Sequence, residues 1–177
     1  MPEKLHLLIN ILQPVATEII AIVAILGFFN TRWLWKQTNR PIVSAFVETH
    51  SAGNVATMFN FIIVNTGNRP AIDIKLTIDN KQEFKECIAN PENEMTEYIF
   101  GCFENSAIIP LLIDGEKRSN SFGLTSIKKE QNIWKYGSSF SITINYKDLE
   151  KKQYQSKLSL YIKDSESFAG SSWKESN

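Results

Sequence analysis

Histidine and cysteine are the scarcest chemistry in this chain: 177 residues hold two of each, His6, His50, Cys87 and Cys102. A histidine acting as a general base needs a nucleophile to deprotonate and an acid to orient it. His50 stands just past an expected strand in ETHSAGN, with Glu48 and Ser51 close in sequence. Neighbours on a strand point to opposite faces, so His50 reads as an ordinary loop histidine. Two cysteines are too few for a disulfide scaffold, a four-cysteine zinc site or a thiolate-ligated cluster. Cys87 and Cys102 bracket an acidic stretch, and buried or unreactive thiols are the better reading than a redox pair. In that stretch NPENEMTE carries Glu92, Glu94 and Glu97, which could attract a cation. Without the glycine and ligand spacing of a calcium loop, they read as solvated surface. Lys128, Lys129 and Lys135 with Trp134 form a basic and aromatic patch that could touch anionic lipid or a phosphate ligand. Ordinary charged surface is its simpler explanation, and Glu130 sits inside it. G-x-S-x-G, H-E-x-x-H, GxxxxGK[ST] and G-x-G-x-x-G are all absent. The expectation is a protein without catalytic residues, metal or cofactor, and not an enzyme.

Charge narrows the partners. The chain has 19 Lys plus Arg and 19 Asp plus Glu. Setting aside Lys4, Arg32, Lys36, Arg40, Glu3 and Glu18 leaves 15 cations against 17 acids after the N-terminal segment. Nucleic-acid affinity rests on Lys and Arg neutralising phosphates, so direct DNA or RNA binding is not expected.

The apolar residues are heaped at the N-terminus. Leu5–Phe29 is LHLLINILQPVATEIIAIVAILGFF, 25 residues with one formal charge, Glu18. As a helix it is about 37 Å long at 1.5 Å per residue, enough for a hydrocarbon core of about 30 Å. A cleaved signal peptide fits poorly, because MPEK is barely basic and no A-x-A-like site follows. The run ends instead in NTRWLWKQTNR, where Trp33 and Trp35 suit the interface and Arg32 and Lys36 can snorkel to headgroups. Arg32, Lys36 and Arg40 outweigh Lys4 and the α-amino group, which places the N-terminus outside and residues 41–177 in the cytoplasm. Two thiols kept reduced agree with that side. The expected location is a bacterial inner membrane, crossed once.

One face of this helix is unlike the rest. At 100° per residue His6, Asn10, Gln13, Pro14, Thr17, Ala21 and Ala24 fall along one line, and Glu18 flanks it. Small residues let membrane helices approach, and Asn, Gln and Thr hydrogen-bond across the contact. The stripe therefore predicts self-association into a homo-oligomer. A carboxylate within a span is a functional-site candidate by default. The competing reading starts the span at Pro14, leaves Leu5–Gln13 along the surface and puts Glu18 near the outer headgroups.

Beyond Arg40-Pro41 the hydrophobic period changes from helical to two. Ile72, Ile74, Leu76 and Ile78 alternate with polar residues, the mark of a half-buried strand. Further strands are expected at Ile42–Glu48, Met58–Asn65, Ile108–Ile113, Ser119–Leu124, Ser139–Tyr146 and Gln155–Ile162, the last two joined by a polar hairpin loop, KDLEKKQ. NTGNRPA is a turn in which Gly67 can take positive φ and Pro70 fixes its own φ, and DGE at Asp114–Glu116 is a second tight turn. Seven short strands point to an all-β fold, an antiparallel immunoglobulin-like sandwich behind one transmembrane helix. The expected division is 1–36 anchor and flank, 37–41 linker, 42–163 β-domain and 164–177 flexible tail. Asn80–Phe100 is acidic and irregular, with a short helix about Lys81–Ile88, and is the one loop long enough to carry function or disorder.

The layout FIIVNTGNRPAIDIKLTID, LLIDGEKRSNSFGL and FSITINYKDLEKKQYQSKLSLYI resembles the small sandwich found behind one membrane helix in many uncharacterised bacterial proteins. In size and layout the chain is also similar to membrane effectors of anti-phage defence systems, those associated with retrons or cyclic-nucleotide signalling. That resemblance implies an antiviral effector whose cytoplasmic domain receives a signal or protein partner while the helix damages the inner membrane. It is architectural, carries over no ligand motif, and departs from the two or more spans common among such effectors. The rival is a passive module tethering a partner complex to the bilayer. The polar stripe favours the effector, because a tether needs only apolar length.

Overall fold

The computed structural model describes residues 2–53 and 55–164, with side chains from Pro14 onward. They form two compact units that divide between Asn39 and Arg40.

The first unit is a single helix, α1 (Pro2–Thr38). Pro14 lies inside it, so the helix does not begin there and Leu5–Gln13 is not a separate segment. Proline removes one backbone bond and crowds the preceding turn. One missing bond in a helix of this length leaves propagation on both sides intact. Pro14–Thr38 comprises 25 residues with mean hydropathy 1.7, long and apolar enough to cross a membrane, and its apolar window has no buried residue. At the C-terminus the Thr38 hydroxyl donates to Leu34 O (2.9 Å), and the Asn39 side-chain amide donates to Trp35 O (2.9 Å). Trp35 O also accepts from the Asn39 backbone N–H (2.8 Å), so these side chains reinforce the last turn.

The second unit contains seven strands: β1 (Val43–Ala52), β2 (Ala56–Asn65), β3 (Ala71–Ile78), β4 (Ile108–Leu112), β5 (Lys117–Ser126), β6 (Ser139–Lys147) and β7 (Gln153–Tyr161). All pairings are antiparallel, in one sheet of order β1-β2-β5 and another of order β4-β3-β6-β7. Each segment expected from period-two alternation is a strand. The two sheets share one buried apolar cluster: Val43, Phe61 and Phe122 come from the first, and Ile74, Leu112, Ile142 and Leu160 from the second. Pro110 falls in β4, an edge strand, where a missing N–H interrupts no ladder.

Three local expectations need correction. Ile72 is only half-buried, because Asp73 takes φ 53° and the β3–β6 register shifts between Ile72 and Lys75. That bulge resets the alternation, so Ala71, Ile74 and Leu76 are the buried set. Asn80–Phe100 is not a loose loop but two capped helices, α2 (Lys81–Cys87) and α3 (Glu94–Gly101). The Asn80 side chain accepts from Gln82 N and Glu83 N, and the Asn93 side chain accepts from Met95 N. These caps start helices that bury Phe84, Cys87, Thr96 and Ile99. Phe84 in turn meets Phe100, Phe103, Trp134 and Phe140 edge-on, with ring centroids 4.8–5.8 Å apart. Gly67 is not among the residues of positive φ. Its role is close approach: an added Cβ would lie 2.8 Å from Pro41 C and nearer still to Arg40 O and Ile42 N.

Candidate functional site

Along α1, Thr17, Glu18, Ala21 and Ala24 are exposed, as are Ile20, Ile22 and Val23 on the other faces. Asn10 and Gln13 lie outside the residues whose side chains are described. Arg32, Trp33, Trp35 and Lys36 are all exposed in the last two turns.

The β-unit has a distinct end, its base, where β1 starts and the turns β2–β3, β4–β5 and β6–β7 converge. Asn65, wholly buried at the end of β2, holds three of these segments together. Its Oδ1 accepts from Ile42 N (3.1 Å) and Gly67 N (3.1 Å), and its Nδ2 donates to Arg69 O (2.7 Å) and Leu112 O (3.1 Å). Its backbone carbonyl accepts from Gly115 N (2.9 Å), and its N–H donates to Glu116 O (3.2 Å). An asparagine amide can make four side-chain hydrogen bonds, and Asn65 makes all four. The β6–β7 turn is braced separately. Asp148, 3% exposed, accepts from Lys152 N (2.9 Å) and from the Tyr154 hydroxyl (3.0 Å). Burial, then the bond to Asp148, push the Tyr154 phenol above its ordinary pKa. Arg69 clamps the turn through two bonds to Glu150, of 2.9 and 2.7 Å, and this raises the guanidinium pKa further.

The base is cationic once its pairs are removed. Arg69 is matched by Glu150, Arg118 by Glu116 and Lys147 by Asp73. Among the described residues no ion pair engages Arg40, Lys117, Lys151 or Lys152, all exposed, nor the exposed acid Asp114. Leu149, 56% exposed, is in the braced β6–β7 turn with Lys151 and Lys152. At the opposite end Glu92, Glu94, Glu97 and Glu104 are exposed around α3, and Lys81, Lys85, Lys128, Lys129 and Lys135 are exposed in the neighbouring segments.

A match to the family described as Domain of unknown function (DUF8453) runs over residues 9–166. The chain belongs to that family. The DUF8453 match covers most of α1 and all seven strands, so helix and β-unit belong to one family unit rather than to a fusion of two. No curated protein matches the chain.

Elsewhere in this DUF8453 protein, the other residues singled out by type lose their chemical promise. Trp134 has no exposure, stacks on Phe140 at 5.7 Å and donates its indole N–H to Phe122 O. It cannot join Lys128, Lys129 and Lys135 in a lipid-facing patch, because its indole packs against Phe84, Phe122 and Phe140 in the core. His50 is within β1 rather than beyond it, exposed, with Nδ1 3.2 Å from Asn60 Nδ2. The β1 register shift between Thr49 and Ser51 lets the strand run past it. Cys87 is buried, its thiol lies within hydrogen-bond reach of Glu83 O (3.2 Å) and Ser139 O (3.3 Å), and burial pushes its pKa up. Both cysteines are free thiols. Among the described residues no group of His, Cys, Asp and Glu could hold a metal ion. An apolar cleft of about 350 Å³ opens beside β4 and β5, lined by Phe61, Ile63, Leu76, Ile109 and Ala107, with Arg118, Asn120 and Cys102 among its polar atoms. Sequence periodicity marked its strands, but nothing in the residues announced the cleft.

Proposed function

We propose that this DUF8453 protein is a single-pass inner-membrane protein whose cytoplasmic β-unit is an immunoglobulin-like sandwich and whose action on the bilayer is non-enzymatic. The strand order supports the sandwich. Lettered A to G in chain order, β1-β2-β5 is A-B-E and β3-β6-β7 is C-F-G, the grouping of immunoglobulin-type sheets, with the fourth strand carried on the C-F-G side. The observation that carries the membrane reading is the helix Pro14–Thr38, free of charge from Ile19 to Phe29, with Arg32 and Lys36 in its last two turns and Arg40 just past it. In this reading the β-unit receives a signal or a protein partner, the cleft beside β4 and β5 being the place for it. The helices self-associate along Asn10, Gln13, Thr17, Ala21 and Ala24, and the assembly disturbs the membrane as an anti-phage effector would. The alternative is a passive anchored module that tethers a partner complex.

Induced expression in bacterial cells, with membrane potential followed by a voltage-sensitive dye, separates the two. The effector reading expects depolarisation that Ala21→Leu with Ala24→Leu weakens, because larger side chains part the backbones. Ile20→Leu, Ile22→Leu and Val23→Leu on the other faces should leave it unchanged. Equal responses from the two faces, or no depolarisation, would leave only the tether.

A further inference from the structure

Among the described residues Arg40, Lys117, Lys151 and Lys152 at the base of the β-unit are in no ion pair, and Leu149 is exposed in the same turn as two of them. Lys151 holds φ 64° at the tip of a turn that Asp148 ties to Lys152 N and to the Tyr154 hydroxyl. The Lys152 ammonium rests over the Tyr154 ring, 5.2 Å from its centroid. The turn is thus fixed, not a loose lysine-rich strand end, and it presents Leu149 outward with Lys151 and Lys152 beside it. Lys117 opens β5 after the neighbouring turn, where Ile113 is also half-exposed. An exposed apolar residue flanked by unpaired cations is the pattern that suits a bilayer interface, where hydrocarbon lies beneath phosphate. Among the described residues the base holds Arg40, Arg69, Lys117, Arg118, Lys147, Lys151 and Lys152 against Asp73, Asp114, Glu116, Asp148 and Glu150, a cationic excess. That excess is local, since residues 41–177 carry slightly more acid than base.

Chain length supplies the second argument. Four residues, Asn39–Ile42, join Thr38 to Val43, and fully extended they span at most about 18 Å. A lipid-binding surface on a chain already held at the membrane needs little intrinsic affinity, because binding is then intramolecular.

We propose that the base of the β-unit docks on anionic lipid headgroups through Arg40, Lys117, Lys151 and Lys152, with Leu149 entering the interfacial layer. This rests on the reading of α1 as a membrane anchor. The consequence for that reading is control: docking holds the β-unit flat against the leaflet, and loss of anionic charge or capture by a partner frees it.

The test uses the full chain in vesicles of phosphatidylcholine alone or with phosphatidylglycerol, some doped with a nitroxide-headgroup lipid. An environment-sensitive fluorophore is attached at Leu149→Cys, or at Glu94→Cys as the far-end control, with Cys102→Ser removing the accessible native thiol. We expect strong nitroxide quenching at position 149 and weak quenching at 94, in anionic vesicles only. Replacing both Lys151 and Lys152 by Gln should lower the docked-to-free ratio about 25-fold, at about fivefold per lysine near the surface. Raising salt to several times physiological should do the same, as the Debye length shrinks. Equal quenching at the two positions, equal quenching with and without phosphatidylglycerol, or indifference to the lysine changes would each overturn the proposal. Flotation after an alkaline wash is measured on the same samples. A chain that does not float overturns the anchor itself; one that floats without quenching at 149 overturns only the docking.

Discussion

Replacing Asn65 by Ala removes the one side chain that ties the start of β1, the β2–β3 turn and the end of β4 together. Four hydrogen bonds go at once, with Ile42 N, Gly67 N, Arg69 O and Leu112 O as the groups left behind. A hydrogen bond contributes about 1 kcal/mol net, and a buried partner left unsatisfied costs about 1–3 kcal/mol. Leu112 is fully buried, whereas Ile42 is 40% exposed and water can reach its N–H. The sum is therefore about 3–4 kcal/mol, a large share of the roughly 5–15 kcal/mol that holds a domain folded. For a unit of this size that is a fall in Tm of about 10–15 °C. The full chain in detergent micelles, heated while circular dichroism follows the strands, reads it directly, since a micelle-held helix does not melt with the β-unit. Asn65→Asp sharpens the test. It keeps the acceptor but aims a carboxylate oxygen at the Arg69 and Leu112 carbonyls. Repulsion and burial would raise its folded-state pKa above the unfolded value, so stability is present at low pH and lost as pH rises through the folded pKa. The Asp variant should be less stable than the Ala variant at pH 7 and gain on it at pH 4. Asn60→Ala, which breaks only an exposed contact with His50, should cost under about 1 kcal/mol. A loss at Asn65→Ala no larger than that, or an Asp variant indifferent to pH, would refute the reasoning.

Gly67→Ala should cost about 2–3 kcal/mol by crowding, because its Cβ meets the backbone of Arg40, Pro41 and Ile42 rather than a movable side chain; urea denaturation of the variant measures it. Burial raises the Cys87 pKa, so the folded state keeps a proton that the unfolded chain gives up. Stability should therefore fall as pH rises above the unfolded thiol value of about 8.5, and Cys87→Ala should flatten that alkaline slope. In native protein a thiol reagent should label Cys102 well before Cys87. Glu18→Gln keeps shape and removes charge, so it should spare any assembly measured by cross-linking while altering ion leakage if Glu18 lines water.

What could be read in advance follows from which signals are local. Period-two alternation is written into each strand, so Ile142 and Ile144, or Leu158 and Leu160, declare a face without knowledge of their partners. A helix long and apolar enough to cross a membrane is equally local, a matter of length and apolarity. The sheet a strand joins is not local: Asp114–Glu116 was legible as a turn, but not as the step from β4 in one sheet to β5 in the other. Trp134 and Lys135 are neighbours in sequence, yet one lies at the centre of the aromatic cluster and the other in solvent, because strands and helices far apart in the chain converge on the indole. Asn65 looked like turn punctuation before Gly67; its four partners lie up to 47 residues away. The base with Arg40, Lys117, Lys151 and Lys152 is likewise assembled from three turns that no window of sequence contains. The helix stripe is the reverse case, legible from spacing alone.

The most direct test of the central claim is a pair of reporters fused after Asn177 of the full chain in bacterial cells. One is a phosphatase active only outside the cytoplasm, the other a fluorescent protein that matures only inside it. The account predicts fluorescence that stays with membranes through an alkaline wash, and no phosphatase activity. An active phosphatase, or fluorescence released by the wash, would contradict it.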